Sequence, residues 1–314
     1  MPDQQLLSSA RREVEQALRV LAEKLGPMPR APIDPGATPA DLLTLLAKGQ
    51  KLARRGDPAS APVLRSVHHF ACAGGTLISR CIASMPNTRV LSELDPLSPM
   101  APHTPFMPTD LISLLKISMR SVDQDELVNV FLAGLKEVYR QSRLKGEHLV
   151  LRDHTHSHFT LGKSVPTRPT FRQILMAEYQ VISLVTIRHP LDSYLSLNKN
   201  GWVGFSPATL EEYSCRYLDF LNHYKDVPTL RYEDFVLDPE TEMQNIADLL
   251  DLKYNPDFQQ IFPVIQLSGD SGRKSNVIGP RPRQTVSPGV AEETRQSVSY
   301  RNLCTRMGYD HHAS

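Results

Sequence analysis

Several short stretches of this chain have the residue types and spacing to do chemistry. Ala71-Cys72-Ala73-Gly74-Gly75-Thr76 follows an apolar run, Val63 to Phe70. It precedes a helical pattern in which Leu77, Ile78, Cys81 and Ile82 share one side and which Pro86 stops. A glycine turn from strand to helix aims free backbone N–H groups and the positive helix end at one point, which suits a phosphate or sulfate. Gly74 and Gly75 permit the tight turn, and Thr76 adds a hydroxyl donor. Glu93 ends the next short strand. Arg152-Asp153-His154-Thr155-His156-Ser157-His158 follows a further apolar run. Arg188 closes the run Gln180 to Ile187, with Pro190, Asp192 and Ser196 beyond it. A fixed guanidinium binds phosphate in a bidentate manner, and a nearby hydroxyl completes a clamp. Each stretch has a plainer reading too: a turn without a ligand, a loop cap at Glu93 or Asp95, histidines bonded to loop carbonyls, and Arg188 paired with Asp192.

The elements that must position these groups alternate. Strands are predicted over 63–70, 89–93, 148–152, 180–187 and 227–231. Helices are predicted over 77–85, 109–119, 123–144, 191–200, 208–224, 239–250 and 289–307. Pro96 to Pro108 reads as a loop, 153–179 as irregular or partly helical, and the stretch from Gln266 as a Ser/Gly/Arg/Pro-rich loop. Gln180 to Ile187 is the clearest strand, being rich in β-branched residues. The alternation predicts a parallel, doubly wound α/β sheet, whose ligands sit at the carboxyl ends of the strands. Residues 1–60 read separately as a helical N-terminal extension to a main domain at 61–314. Leu6, Leu7, Ala10, Val14, Ala17, Leu18, Leu21 and Leu25 recur at helical spacing, Gly26-Pro27 ends that helix, and Thr38 caps a second. An extension packed on the main domain is the simplest role; a lid, a homodimer arm or a partner helix is the alternative.

Composition narrows the class. The chain has 314 residues, with 35 Lys+Arg against 34 Asp+Glu and a net charge of +1. That balance gives no support for nucleic-acid or membrane-surface binding. The 4 cysteines include no CxxC pair, which fits reduced thiols and a cytoplasmic location. No run of about 18 apolar residues predicts a membrane span. The G-x-x-x-x-G-K-[ST] loop is absent, which disfavours an ordinary ATPase or GTPase.

Two further stretches complete a pattern: Leu230-Arg231-Tyr232-Glu233-Asp234-Phe235 with Asp238-Pro239-Glu240, and Ser271-Gly272-Arg273-Lys274-Ser275-Asn276. In this order, with the glycine turn and the Arg188…Ser196 segment before them, the chain resembles the sulfotransferases that use 3′-phosphoadenosine-5′-phosphosulfate (PAPS). The resemblance spans about 63–283. It implies a P-loop NTPase-like three-layer sandwich: a parallel sheet flanked by helices. It also implies that Ala73, Gly74, Gly75, Thr76 and Leu77 hold the 5′-phosphosulfate. Arg188 and Ser196 would hold the 3′-phosphate, helped by Arg273 and Lys274, with Tyr232 also in the nucleotide site. Glu93 would be the base, with Arg152 and His154 beside the acceptor. The product would be 3′,5′-adenosine bisphosphate, and the acceptor a hydroxyl or amine of a small molecule, sugar or peptide.

The pattern departs from the family at one point. Cys72 stands where the family's loop carries Lys or Arg, and Gly75 replaces its first Thr. Arg80, one turn into the helix and leaning toward its N-terminus, is the expected replacement, with His68 or His69 as others. Rival readings also stand at this stage. His154, His156 and His158 would share one face of an extended stretch and could ligate a metal in a hydrolase. A nucleotide-binding kinase-like enzyme and an inactive binding module are the others.

Overall fold

The apolar runs become strands because successive side chains find cover on opposite faces of one sheet. In this computed structural model, residues 62–100, 110–269 and 277–312 are described, within the compact unit Gly56–Ser314. The expected extension over 1–60 lies outside the described residues, as do Arg273 and Lys274.

The strands are β1 (Val63–His69), β2 (Thr88–Leu94), β3 (His148–Asp153), β4 (Leu161–Gly162), β5 (Gln180–Ile187), β6 (Gly204–Phe205) and β7 (Thr229–Arg231). Five of them form one parallel sheet in the order β2-β3-β1-β5-β7, and β4 pairs with β6 apart from it. The helices are α1 (Gly75–Ala83), α2 (Leu111–Ile117), α3 (Gln124–Leu144), α4 (Thr155–Phe159), α5 (Phe171–Met176), α6 (Pro190–Lys199), α7 (Leu210–His223), α8 (Tyr232–Leu237), α9 (Pro239–Leu249), α10 (Phe258–Ile261), α11 (Pro288–Gln296) and α12 (Val298–Met307).

Helices cover both faces, as a doubly wound sheet requires. Val67, Val150 and Leu184 point to one face, where Ile78 and Ile82 of α1, Phe235 of α8 and Met243 and Ile246 of α9 bury them. Leu64, Leu149 and Leu151 point to the other, under Leu127, Leu132 and Leu135 of α3 and Phe171 and Ile174 of α5. On that second face the ends of β1 and β5 pack on an aromatic cluster, with Phe70 stacked 4.3 Å from Tyr217. The crossovers leave β1 toward β3 and β2 on one side and toward β5 and β7 on the other. β1 therefore sits at the switch point where such sheets open a ligand crevice.

Several predicted elements differ. β2 runs to Leu94 because it is bulged. The stretch 153–179 holds two short helices and a short strand, and its second helix, α5, starts at a Thr170–Gln173 capping box. Strand β7 is shorter than expected and passes directly into α8 at Tyr232. The last predicted helix is two helices, because the Ser297 side chain accepts from the Tyr300 N–H and caps the second.

Candidate active site

The turn after β1 is a fixed backbone surface. Ala73 N–H donates to the Phe70 carbonyl at 3.1 Å, closing a tight turn. Cys72 and Gly74 have φ of 63° and 84°. Gly74 caps α1 without any side-chain hydrogen bond, and the first N–H groups of a helix have no intrahelical acceptor. The donors at the start of α1 are thus backbone groups at the positive end of the helix, the arrangement that binds anions. A side chain at Gly74 would place its Cβ 2.2 Å from Tyr232 Cδ2, so the Tyr232 ring is the floor of the turn.

Arg188 stands beside this floor. Its guanidinium lies 5.0 Å over the Tyr232 ring, and Nη1 donates to the Cys72 carbonyl at 3.5 Å. The plainer reading of Arg188, a pair with Asp192, is not what forms: Asp192 pairs with Arg283 at 2.8 Å. Ser196 is buried in α6, 1% exposed. Glu233 ties the ends of β5 and β7 together: its carboxylate accepts from the His189 N–H at 2.9 Å and from the Tyr309 hydroxyl at 2.5 Å. The RYED stretch thus supplies a ring at the turn and a strut behind Arg188.

The opposite wall comes from β2 and β3. Leu91 pairs with Leu151 and Leu94 with Asp153. Ser92 and Glu93 therefore both face Arg152, which is a β-bulge. The extra residue is Glu93, with φ of 64°, an uncommon conformation for a residue with a Cβ. The bulge aims both side chains at Arg152, whose Nη1 lies 3.0 Å from Ser92 Oγ and 2.9 Å from Glu93 Oε1. The other nitrogen, Nη2, donates to Thr76 Oγ1 at 3.0 Å and to His69 Nε2 at 3.0 Å. His154, just past β3, places Nε2 3.4 Å from Glu93 Oε2. The 266–269 stretch packs against this wall: the Ser92 and Ser268 hydroxyls exchange bonds with each other's carbonyls at 3.0 and 2.6 Å.

The structure therefore brings Glu93, Arg152, His154 and Thr76 into one network, with Gly75 against the His69 ring that joins it, and Arg188, Tyr232 and Gly74 into a second beside it. It places Arg80 elsewhere. That guanidinium is 7% exposed and donates to the carbonyls of Phe262 and Pro263 at 3.2 and 2.7 Å. Among the described residues the guanidinium that reaches Thr76 belongs to Arg152. The outcome follows from packing. Phe262 offers Arg80 a ring at 5.5 Å, and the carbonyls of Phe262 and Pro263 lie within its reach, whereas the bulge leaves Arg152 pointing along the crevice.

The shared histidine face does not form either. Residues 155–159 are the helix α4, not an extended stretch, so His156 and His158 project from different sides. Burial lowers each imidazole to about 4, with His154 adding to the effect on His156 and Arg168 to that on His158. Among the described residues, the metal-ligating side chains whose donor atoms gather within 4.8 Å are Asp310, His311 and His312, near the chain end. Sequence reasoning passed over Ser92, Ser268 and the Arg152–His69 contact. No local signal announces these, since each depends on which strands lie side by side.

No family model matches the chain, and no curated protein matches it in sequence. Solved structures do. The sulfotransferase domain from the curacin biosynthetic pathway is 15% identical with a TM-score of 0.47, over 80% of this chain and 99% of that one. The sulfotransferase domain from the Synechococcus PCC 7002 olefin synthase is 17% identical with a TM-score of 0.45, over 82% and 98%. A mouse sulfotransferase complexed with PAP is 12% identical with a TM-score of 0.41, over 83% and 95%. Among the described residues, no helix is long and apolar enough to cross a membrane.

Proposed function

We propose that the chain is a sulfotransferase that takes PAPS as donor and a hydroxyl or amine compound as acceptor. The observation that carries this reading is the position of Arg152. One guanidinium touches Thr76 at the start of α1 and Glu93 on the bulge, at 3.0 and 2.9 Å. It joins an anion cradle to a carboxylate, the two things such a transfer needs.

The residues present fit a bisphosphorylated nucleotide. The bare N-terminus of α1 and Thr76 suit the 5′ group. Arg188, beside the Tyr232 ring, suits a second phosphate. Ser196, buried in α6, would join it through its hydroxyl. The roles of Arg273 and Lys274 belong to the same proposal, on the sequence pattern alone. PAPS would supply the sulfuryl group. Glu93 would take the proton from the acceptor as its oxygen or nitrogen bonds to sulfur. Arg152 and the α1 N–H groups would hold the negative charge that gathers on the departing phosphate. This also answers the missing loop cation: Cys72 leaves a gap in charge that Arg152 fills from the neighbouring strand. His154, near Glu93, would orient the acceptor.

The test is turnover of PAPS labelled in its sulfonate, with a panel of sugar, phenol, lipid and peptide acceptors and with water alone. The expected result is labelled ester with one class, or slow hydrolysis above the blank, lost in Glu93→Gln. Neither transfer nor hydrolysis by the folded protein would overturn the proposal.

A further inference from the structure

β1 ends in two histidines on opposite faces of the sheet, and each holds one of two consecutive residues of β3. His68 Nδ1 lies 2.8 Å from Asp153 Oδ2, which also accepts from the Tyr224 hydroxyl at 2.9 Å. His69 Nε2 lies 3.0 Å from Arg152 Nη2. A guanidinium only donates, so Nε2 accepts, and a neutral ring must then carry its proton on Nδ1. Burial, and then the charge of Arg152, hold His69 well below the usual imidazole range. The ring is also locked in place. It is 7% exposed, and a Cβ on Gly75 would lie 2.3 Å from its Cγ. Its backbone carbonyl accepts from the Thr155 hydroxyl. Nδ1 has no partner among the described residues. A buried donor left unmatched has a desolvation cost, and the contact at Nε2 is what the ring supplies in return.

We propose that His69 is a positioning residue: its uncharged Nε2 accepts from Arg152 and fixes the guanidinium with Nη2 on Thr76 and Nη1 on Glu93. The proposal rests on the sulfotransferase reading. Its chemical logic is the choice of a neutral acceptor. Glu93 already sets one carboxylate 2.9 Å from Arg152; a second in this place would orient the guanidinium equally well but outweigh and cancel the positive charge that the transferring group requires. A histidine kept neutral orients without cancelling. It also makes the glycine at 75 necessary, since the ring occupies the space of a side chain there.

The experiment compares His69→Leu with His69→Gln in the full chain, by steady-state kinetics with PAPS and by calorimetry with 3′,5′-adenosine bisphosphate. Gln keeps an acceptor near the place of Nε2; Leu removes it at similar volume. The expected result is a kcat about 10²-fold lower in His69→Leu, the scale of a misplaced catalytic group. Bisphosphate affinity should stay within a few-fold, and His69→Gln should recover most of the loss. Equal damage from both variants, or none from His69→Leu, would overturn the proposal. Imidazole ¹⁵N spectra of the wild-type protein keep it testable if a variant does not fold. They should show a neutral Nδ1–H ring over the neutral pH range. An Nε2–H ring, or an imidazolium in that range, would contradict it. The spectra need no turnover. A wild-type protein that shows the expected tautomer but binds no bisphosphate would fail the sulfotransferase reading and leave the Arg152–His69 contact standing.

Discussion

The two walls of the crevice are built from different materials. On the β1–β5–β7 side the proposed binding surface is mostly backbone: a tight turn and the start of α1, with a tyrosine ring pressed against Gly74. On the β2–β3 side it is side chains, Glu93, Arg152, Ser92 and His154, on a strand whose ladder is interrupted. The first wall is fixed by packing and presents donors that cannot rotate away. The second is a network of charged and polar side chains centred on Arg152, which meets His69, Thr76, Ser92 and Glu93. Arg152 bridges the walls through Thr76, but Glu93 and Arg188 each belong to one of them, so on the proposed function a change at either should leave the other's work intact.

The largest effect is expected on the side-chain wall. Glu93→Gln keeps shape and hydrogen bonding but cannot take the acceptor's proton. General-base catalysis is worth ~10²–10⁴-fold, so kcat should fall by about that factor with bisphosphate affinity unchanged. A mild Glu93→Gln beside a dead His154→Ala would move the base to His154.

On the backbone wall the sharpest probe is the cation beside the Tyr232 ring. Arg188→Ala should weaken 3′,5′-adenosine bisphosphate by on the order of 2–3 kcal/mol, the scale of a charged hydrogen bond. Binding of 5′-AMP should change far less. Equal losses for the two ligands would mean that Arg188 does not read the 3′-phosphate.

Gly74→Ala tests whether that wall is as rigid as its geometry. The substitution combines a φ of 84° with a Cβ 2.2 Å from the Tyr232 ring. A left-handed alanine and an overpacked contact together cost about 2–5 kcal/mol, to be read from urea denaturation. An unchanged midpoint would show that the turn yields.

The smallest effect lies behind the side-chain wall, on α4. His158 is 4% exposed, with neither ring nitrogen partnered among the described residues. Burial lowers it to about 4, whereas an unfolded histidine titrates near ~6.5. Between those values the unfolded chain binds the extra proton, so stability falls as pH drops through that window. His158→Leu should remove ~1–2 kcal/mol of the difference in unfolding free energy between about pH 7 and pH 5. An unaltered pH slope would contradict the assigned cause.

The backbone wall was largely legible in the sequence. Gly74, Thr76 and Arg188 lie at the ends of regular strands or the start of a regular helix, so spacing alone delivers them to one place. Tyr232 was legible as part of the RYED pattern, though not as the floor of the turn. The side-chain wall was legible only as residue types. Glu93, Arg152 and His154 were all candidates, but the bulge that unites them depends on the register between β2 and β3, which no local pattern encodes. Arg80 shows the same limit: helical spacing aims it toward the turn, and the 262–263 carbonyls, nearly two hundred residues away in sequence, hold it. The shared face of the histidine triplet was only a rival, conditional on an extended stretch after Asp153; that stretch is a short helix, within the partly helical reading of 153–179.

Calorimetry with 3′,5′-adenosine bisphosphate, run beside ATP and zinc on the same protein, tests the account most directly. The account predicts saturable binding of one bisphosphate per chain, much weaker binding of ATP, and no dependence of bisphosphate binding on zinc or on a chelator. Tight ATP or zinc binding with no heat from the bisphosphate would contradict it.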